Sequence, residues 1–198
     1  DLVLTAADPG GREGHLVAIE ALVPVTAQDG RIESLSLADL RAVFDGTITG
    51  RAALGGGAAP VVLHVLDATH PLQQVIAQQL GPAIAPGAIR HPDPYRLADA
   101  VARDPWALAV LPARLSADLH RVALSDGCGT RLRADAFAVA AGDYPLSTGL
   151  FVVAPPRRRS AISRDLLASL AHPRMQESLA ARGVAGTELL RLPVTAQG

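Results

Sequence analysis

At 198 residues, with 49% apolar and 19% charged side chains, the chain has the size and apolar content to bury a large core, which fits a globular protein and excludes disorder. The formal net charge is −1 and aromatic residues make up 3%, so there is no basic or base-stacking surface for nucleic acid and no electrostatic attraction to an anionic membrane. A single cysteine, Cys128, excludes an internal disulfide and a thiolate metal cluster while leaving the redox compartment open.

The chain opens directly in a strand-like segment, residues 1–6, and without Met, which suggests that upstream residues were removed or never included. A second strand is expected over 16–25. Then IESLSLADLRAVFDGTITG (32–50) spells a capped helix: Ser36 caps it, Asp39 completes a capping-box pair, Leu37, Leu40, Val43 and Phe44 form one stripe, and Gly46 permits a stop. GRAALGGGAAP (50–60) is so poor in side chains that it reads as a flexible surface loop, and its Gly55-Gly56-Gly57 lacks the Lys-Ser/Thr that a phosphate loop needs.

Strand-like 60–65 precedes a helix begun by Pro71 and striped by Leu72, Val75, Ile76 and Leu80. Another helix starts at Asp93-Pro94, carries Leu97 and Val101 and ends at Asp104-Pro105. Strands follow at 107–111 and 121–125, then a turn around Cys128, a strand-like 137–139, and a strand at 149–154. A helix striped by Ile162, Leu166, Leu167 and Leu170 and a last one from Pro173 to Gly183 end the pattern. Strands alternating with helices predict an α/β fold, with Leu40, Phe44, Val62, Val75, Leu108, Val110, Leu166 and Leu170 in the core. No apolar run is long enough to span a bilayer, so membrane insertion is not expected.

The helix and turn at 32–50 resemble those of the phosphate-binding receptors of bacterial ABC importers, type 2 periplasmic binding proteins, at Ser34, Leu35, Ser36, Leu37, Leu40, Phe44, Gly46 and Ile48. DLVLT (1–5), WALAVLP (106–112), YPL (144–146) and the two-helix ending extend the resemblance in the same order over most of the chain. It implies an α/β type 2 periplasmic-binding-protein-like fold of two hinged lobes. One would comprise 1–26 with 147–198 and lack its first elements, the other 27–146, with the chain crossing near 23–26 and 146–151. The neighbourhood of Gly127-Cys128-Gly129 and Tyr144-Pro145-Leu146 is similar to a subgroup joined to an OmpA-like domain. The resemblance further implies a periplasmic or envelope location, a small anion or other small solute as ligand, and an ABC permease or an OmpA-like domain of the same protein as partner. No cofactor and no enzymatic activity are implied.

Carried onto this sequence, the family's oxyanion loop "R-d-x-x-S-G-T" places Leu66 at the Arg, Asp67 at the acid, His70 at the Ser, Pro71 at the Gly and Leu72 at the Thr. Its first-lobe loop becomes Thr5, Ala6, Ala7 and Asp8, keeping one hydroxyl. Tight inorganic phosphate binding is therefore not expected, since each missing donor costs about 1–3 kcal/mol. The candidate ligand-binding residues are Thr5, Asp67, Thr69 and His70, with His70 acting through its charge. Alternatively His70 is a simple helix cap, or His64, Asp67 and His70 hold a metal, although strand alternation aims His64 and Asp67 apart. The remaining histidines, His15, His91, His120 and His172, read as surface residues. A non-binding scaffold is the rival function. An acid-base enzyme built on Asp67 and His70 ranks last for want of a nucleophile.

Overall fold

The computed structural model describes residues 3–6, 14–30, 32–153, 165, 168–170, 172–181 and 184–186. The chain divides into two compact units, Asp1–Ala21 with Ala134–Gly198, and Leu22–Arg133. Strand β2, Gly14–Thr26, is continuous through the first division, and its apolar run explains why: Ala18, Ala21, Leu22, Val23 and Val25 are all nearly inaccessible.

In the first unit, residues 14–21 of β2 pair antiparallel with β10 (Ser147–Val153) and, on the other side, with β11 (Val184–Gly186). Strand β1, Val3–Thr5, adds to the far side of β10. Helix α4, Ala136–Ala141, and the helix Pro173–Ala181 pack on β11. Residues 137–139 were expected to be extended, yet they lie inside α4. Asp135 accepts the Ala138 N–H at 2.9 Å as an N-cap, and Gly142 ends the helix at φ +80°. With a cap and a left-handed stop, a local helix satisfies the backbone without a strand partner.

In the second unit, β4 (Val62–Leu66), β5 (Ile89–His91) and β6 (Ala107–Pro112) are parallel in the order β5-β4-β6, and residues 22–25 of β2 run antiparallel beside β6. The crossovers are α2 (Pro71–Leu80) and α3 (Pro94–Arg103). One leads outward from β4 and the other back across it, so right-handed connections put the two helices on opposite faces. A second sheet joins β3 (Ser34–Ser36), β8 (Ala123–Ser125) and β9 (Arg131–Leu132). The expected strand 121–125 is thus split, His120–Arg121 (β7) pairing instead with the end of β2.

Helix α1, Leu37–Phe44, follows β3 and has the predicted capping box: the Ser36 hydroxyl accepts the Asp39 N–H and the Asp39 carboxylate accepts the Ser36 N–H, each at 3.0 Å. Ser36→Ala should lower stability by about 1 kcal/mol, read from the midpoint of urea unfolding. Past the helix, Gly46 adopts φ +85° with Ala85 close against it, which gives the glycine its positional meaning.

Of the expected core, Leu40, Phe44, Val75, Leu108 and Val110 are buried. Val62 and Leu170 are half-buried, and Leu166 lies outside the described residues. Val62 lines an apolar hollow of about 230 Å³ with Val43, Ile48, Val61 and Ala88, so its strand position faces a groove. The segment 50–60 also departs from its reading as a bare loop. A 3-10 turn at Arg51–Leu54 buries Arg51 and Leu54, and Gly50 bridges to Pro60.

Candidate functional site

Asp67, Thr69 and His70 lie together in the turn between β4 and α2, at the carboxyl edge of the parallel strands where α/β folds commonly place ligands. The turn is closed by the His70 N–H donating to the Asp67 carbonyl at 2.8 Å, and tied to the neighbouring strand by the Asp67 N–H donating to the His91 carbonyl at 2.9 Å. Thr69 is exposed, while Asp67 and His70 are half-buried. Thr5 belongs to the other unit, at the end of β1 opposite Phe151 of β10.

His70 caps α2. Its Nδ1 accepts the Leu72 N–H at 3.2 Å, and Pro71 at the first helical position has no N–H to satisfy. An accepting Nδ1 carries no proton, so the neutral ring holds its hydrogen on Nε2. Burial pushes the His70 proton affinity below its usual value, with Asp93 and then Asp67 acting in the opposite sense. The positive charge expected of His70 is therefore the disfavoured form, and protonating Nδ1 would remove the cap. The mechanism available to this ring is a hydrogen bond from Nε2, with the simple cap reading realised alongside it.

The positions flanking the turn are core. Leu66 and Leu72 are buried, and the Leu66 N–H donates to Gln73 Oε1 at 3.1 Å, which folds the first turn of α2 against the end of β4. Gln73 Nε2 is buried without a partner among the described residues. Among the described residues no group of three or more His, Cys, Asp or Glu side chains could hold a metal ion.

The histidine network that does form was not legible in the sequence. His64, 4% exposed, contacts Asp104 Oδ2 through Nε2 at 3.1 Å and His91 Nε2 through Nδ1 at 3.0 Å. His91, expected on the surface, is half-buried with its ring nearly coplanar with that of His64. Only the parallel register of β4 and β5, which pairs His64 with Ile89 and Leu66 with His91, brings the two rings to one face. His120 likewise contacts the Ile32 carbonyl at 3.0 Å, whereas His15 and His172 are exposed as expected. Cys128 is exposed in a turn whose Asp126 carboxylate accepts the Cys128 and Thr130 N–H groups. Those bonds, the Thr130 N–H foremost, hold the Asp126 carboxyl below its ordinary range.

No helix among the described residues is long and apolar enough to cross a membrane. No protein-family model and no curated protein matches the sequence. Solved structures do match the fold. One described as a phosphate ABC transporter substrate-binding protein from Clostridium perfringens, with bound phosphate, superposes with a TM-score of 0.85 at 14% identity, covering 93% of this chain and 78% of that one. An ABC-type phosphate transport receptor from Vibrio cholerae gives 0.70 at 14% identity over 93% and 79%. The regulatory domain of MetR, a LysR family regulator from N. meningitidis, gives 0.55 at 11% identity over 94% and 75%. At such identities the likeness establishes architecture alone, and the two kinds of neighbour illustrate how one fold hosts different functions. The chain has the mixed α/β fold of the type 2 periplasmic binding proteins.

Proposed function

We propose that this chain is a non-enzymatic solute-binding domain of a bacterial envelope protein, which captures a small anion or other small solute in the periplasm and presents it to an ABC permease. The observation carrying this reading is the β4–α2 turn: Asp67, Thr69 and His70 gather at a helix start on the carboxyl edge of parallel strands, in a fold shared with phosphate receptors. Thr69 offers a hydroxyl, neutral His70 an Nε2–H, and Asp67 an acceptor for a proton of the solute. The two lobes of the proposal are 1–26 with 147–198, and 27–146. With Leu66, Pro71 and Leu72 at the places of the family's Arg, Gly and Thr, the proposed loop is altered, and inorganic phosphate is not its tight ligand. The association with an OmpA-like domain rests on residues 127–129 and 144–146 of the sequence.

A non-binding scaffold is favoured by one specific observation, that His70 Nδ1 is already spent on the N–H of buried Leu72. Thermal-shift screening against phosphate, sulfate, other oxyanions and small organic acids separates the readings, because a ligand that binds only the folded state raises the midpoint. Calorimetry of the solute that does so should show affinity falling about fivefold or more in a Thr69→Ala, His70→Ala double variant, as two hydrogen bonds at about 0.5–1.5 kcal/mol each require. Unchanged affinity would place the ligand elsewhere; no shift with any solute would favour the scaffold.

A further inference from the structure

His64 and His91 lie on the face of the parallel sheet against which α3 packs. Asp104 caps the end of α3, and its carboxylate accepts the Trp106 N–H through Oδ1 at 2.8 Å while facing His64 Nε2 through Oδ2. An ionised carboxylate only accepts, so the His64 proton sits on Nε2 and leaves a lone pair on Nδ1. His91 Nε2, 3.0 Å from that lone pair, must then be the donor. The order of donation is fixed along the whole chain, His91 to His64 to Asp104.

We propose that this hydrogen-bonded row is a proton-sensitive latch fastening the edge strand β5, and with it the β4–α2 turn, to the end of α3 within the second unit. Strand β5 has three residues and, among the described residues, pairs on one side only, with β4. Its backbone nonetheless anchors the turn, because the His91 carbonyl receives the Asp67 N–H. The latch holds while one proton lies between the facing nitrogens. A first added proton is tolerated, because the ring that stays neutral can turn its bare nitrogen to the other's N–H; when both rings are charged, two N–H groups confront each other at a spacing that admits one, and attraction becomes repulsion.

The surrounding charges set the direction. From the β4–α2 turn come Asp67 and His70, from the two ends of α3 Asp93 and Asp104, and beside Asp104 the guanidinium of Arg51. Burial and then the charge of His64 hold the His91 proton affinity below its usual value, with Asp67 and Asp93 partly offsetting them. A histidine whose folded value is depressed contributes stability that is fully present above its unfolded value of about 6.5 and is lost as pH falls below it. Where this latch governs solute affinity it rests on the solute-binding reading; the latch itself does not.

The test uses the full chain without ligand. Nitrogen-15 spectra of the imidazoles at pH 7.5 should show His64 protonated at Nε2 with Nδ1 bare. The thermal midpoint of wild type should fall as pH is lowered from 7.5 to 4.5. Amide exchange at Asp67, corrected for the intrinsic pH effect, should speed up at least tenfold over the same range. His91→Gln keeps an N–H donor for His64 but cannot titrate. Its midpoint at pH 7.5 should lie within about 2–4 °C of wild type, the equivalent of 1 kcal/mol for a chain of this size, and its acid-induced drop should be at most half as large. A proton on His64 Nδ1 in the wild-type spectrum, or parallel pH curves for the two proteins, would overturn the latch. Either result leaves the calorimetric test of solute binding standing, and failure of that test leaves the latch measurements unaffected.

Discussion

Phe44→Ala is expected to cost about 3–5 kcal/mol, the range for truncating a buried aromatic ring without refilling its space. Phe44 is 2% exposed at the last turn of α1, in one stripe with Leu40 and Val43. Its backbone carbonyl receives the Ala85 N–H at 2.7 Å, and the next turn carries Gly46 against Ala85, so helix end and neighbouring loop cannot collapse independently into the cavity. Guanidinium-induced unfolding followed by circular dichroism measures the effect, with Phe44→Leu as the control that keeps most of the volume. A loss below about 1 kcal/mol in the Ala variant would mean that the α1 seam is not a principal part of the core.

Arg51 should show that a buried side chain can be needed for its shape and hydrogen bond more than for its charge. It is 3% exposed, donates from Nη2 to the Ala107 carbonyl at 3.2 Å, and lies 5.7 Å from the centre of the Trp106 ring. Its Nε has no partner among the described residues. Burial lowers its proton affinity, while Asp104 and Asp29 act to raise it through space. Arg51→Ala is expected to destabilise by about 2–4 kcal/mol, combining a cavity beside Trp106 with an unpaired Ala107 carbonyl. Arg51→Met, which fills the space without a buried charge, should lose no more than about 1.5 kcal/mol, because removing an imperfectly compensated charge offsets the lost bond. Equal losses in both variants, measured by the same denaturation, would show instead that the charge itself is the stabilising element.

Both residues bear on how far the chain could be read before its structure was seen. Phe44 was legible, because a helix announces itself within one or two turns. Ser36 and Asp39 are three residues apart and complete their reciprocal bonds without help from the rest of the chain. The same holds for His70 and Asp93 at the starts of α2 and α3, where a side chain accepts an N–H two or three residues on. Arg51 was not legible. A glycine-rich segment gives no sign of packing, and burial of that guanidinium depends on Ala107 and Trp106, more than fifty residues away.

The sequence by itself therefore determined the α/β alternation, the capped helices and the grouping of Asp67, Thr69 and His70, all set by bonds and periodicities spanning a few residues. Only the tertiary structure decided what surrounds those groups. The parallel register turned His91 from a surface residue into the partner of His64, and the end of α3 supplied Asp104 from forty positions beyond His64. The capping geometry of α2 and the burial around His70 both favour the neutral form of its ring. Register, burial and local field are properties of contacts between distant segments, and they arise when the sheet assembles.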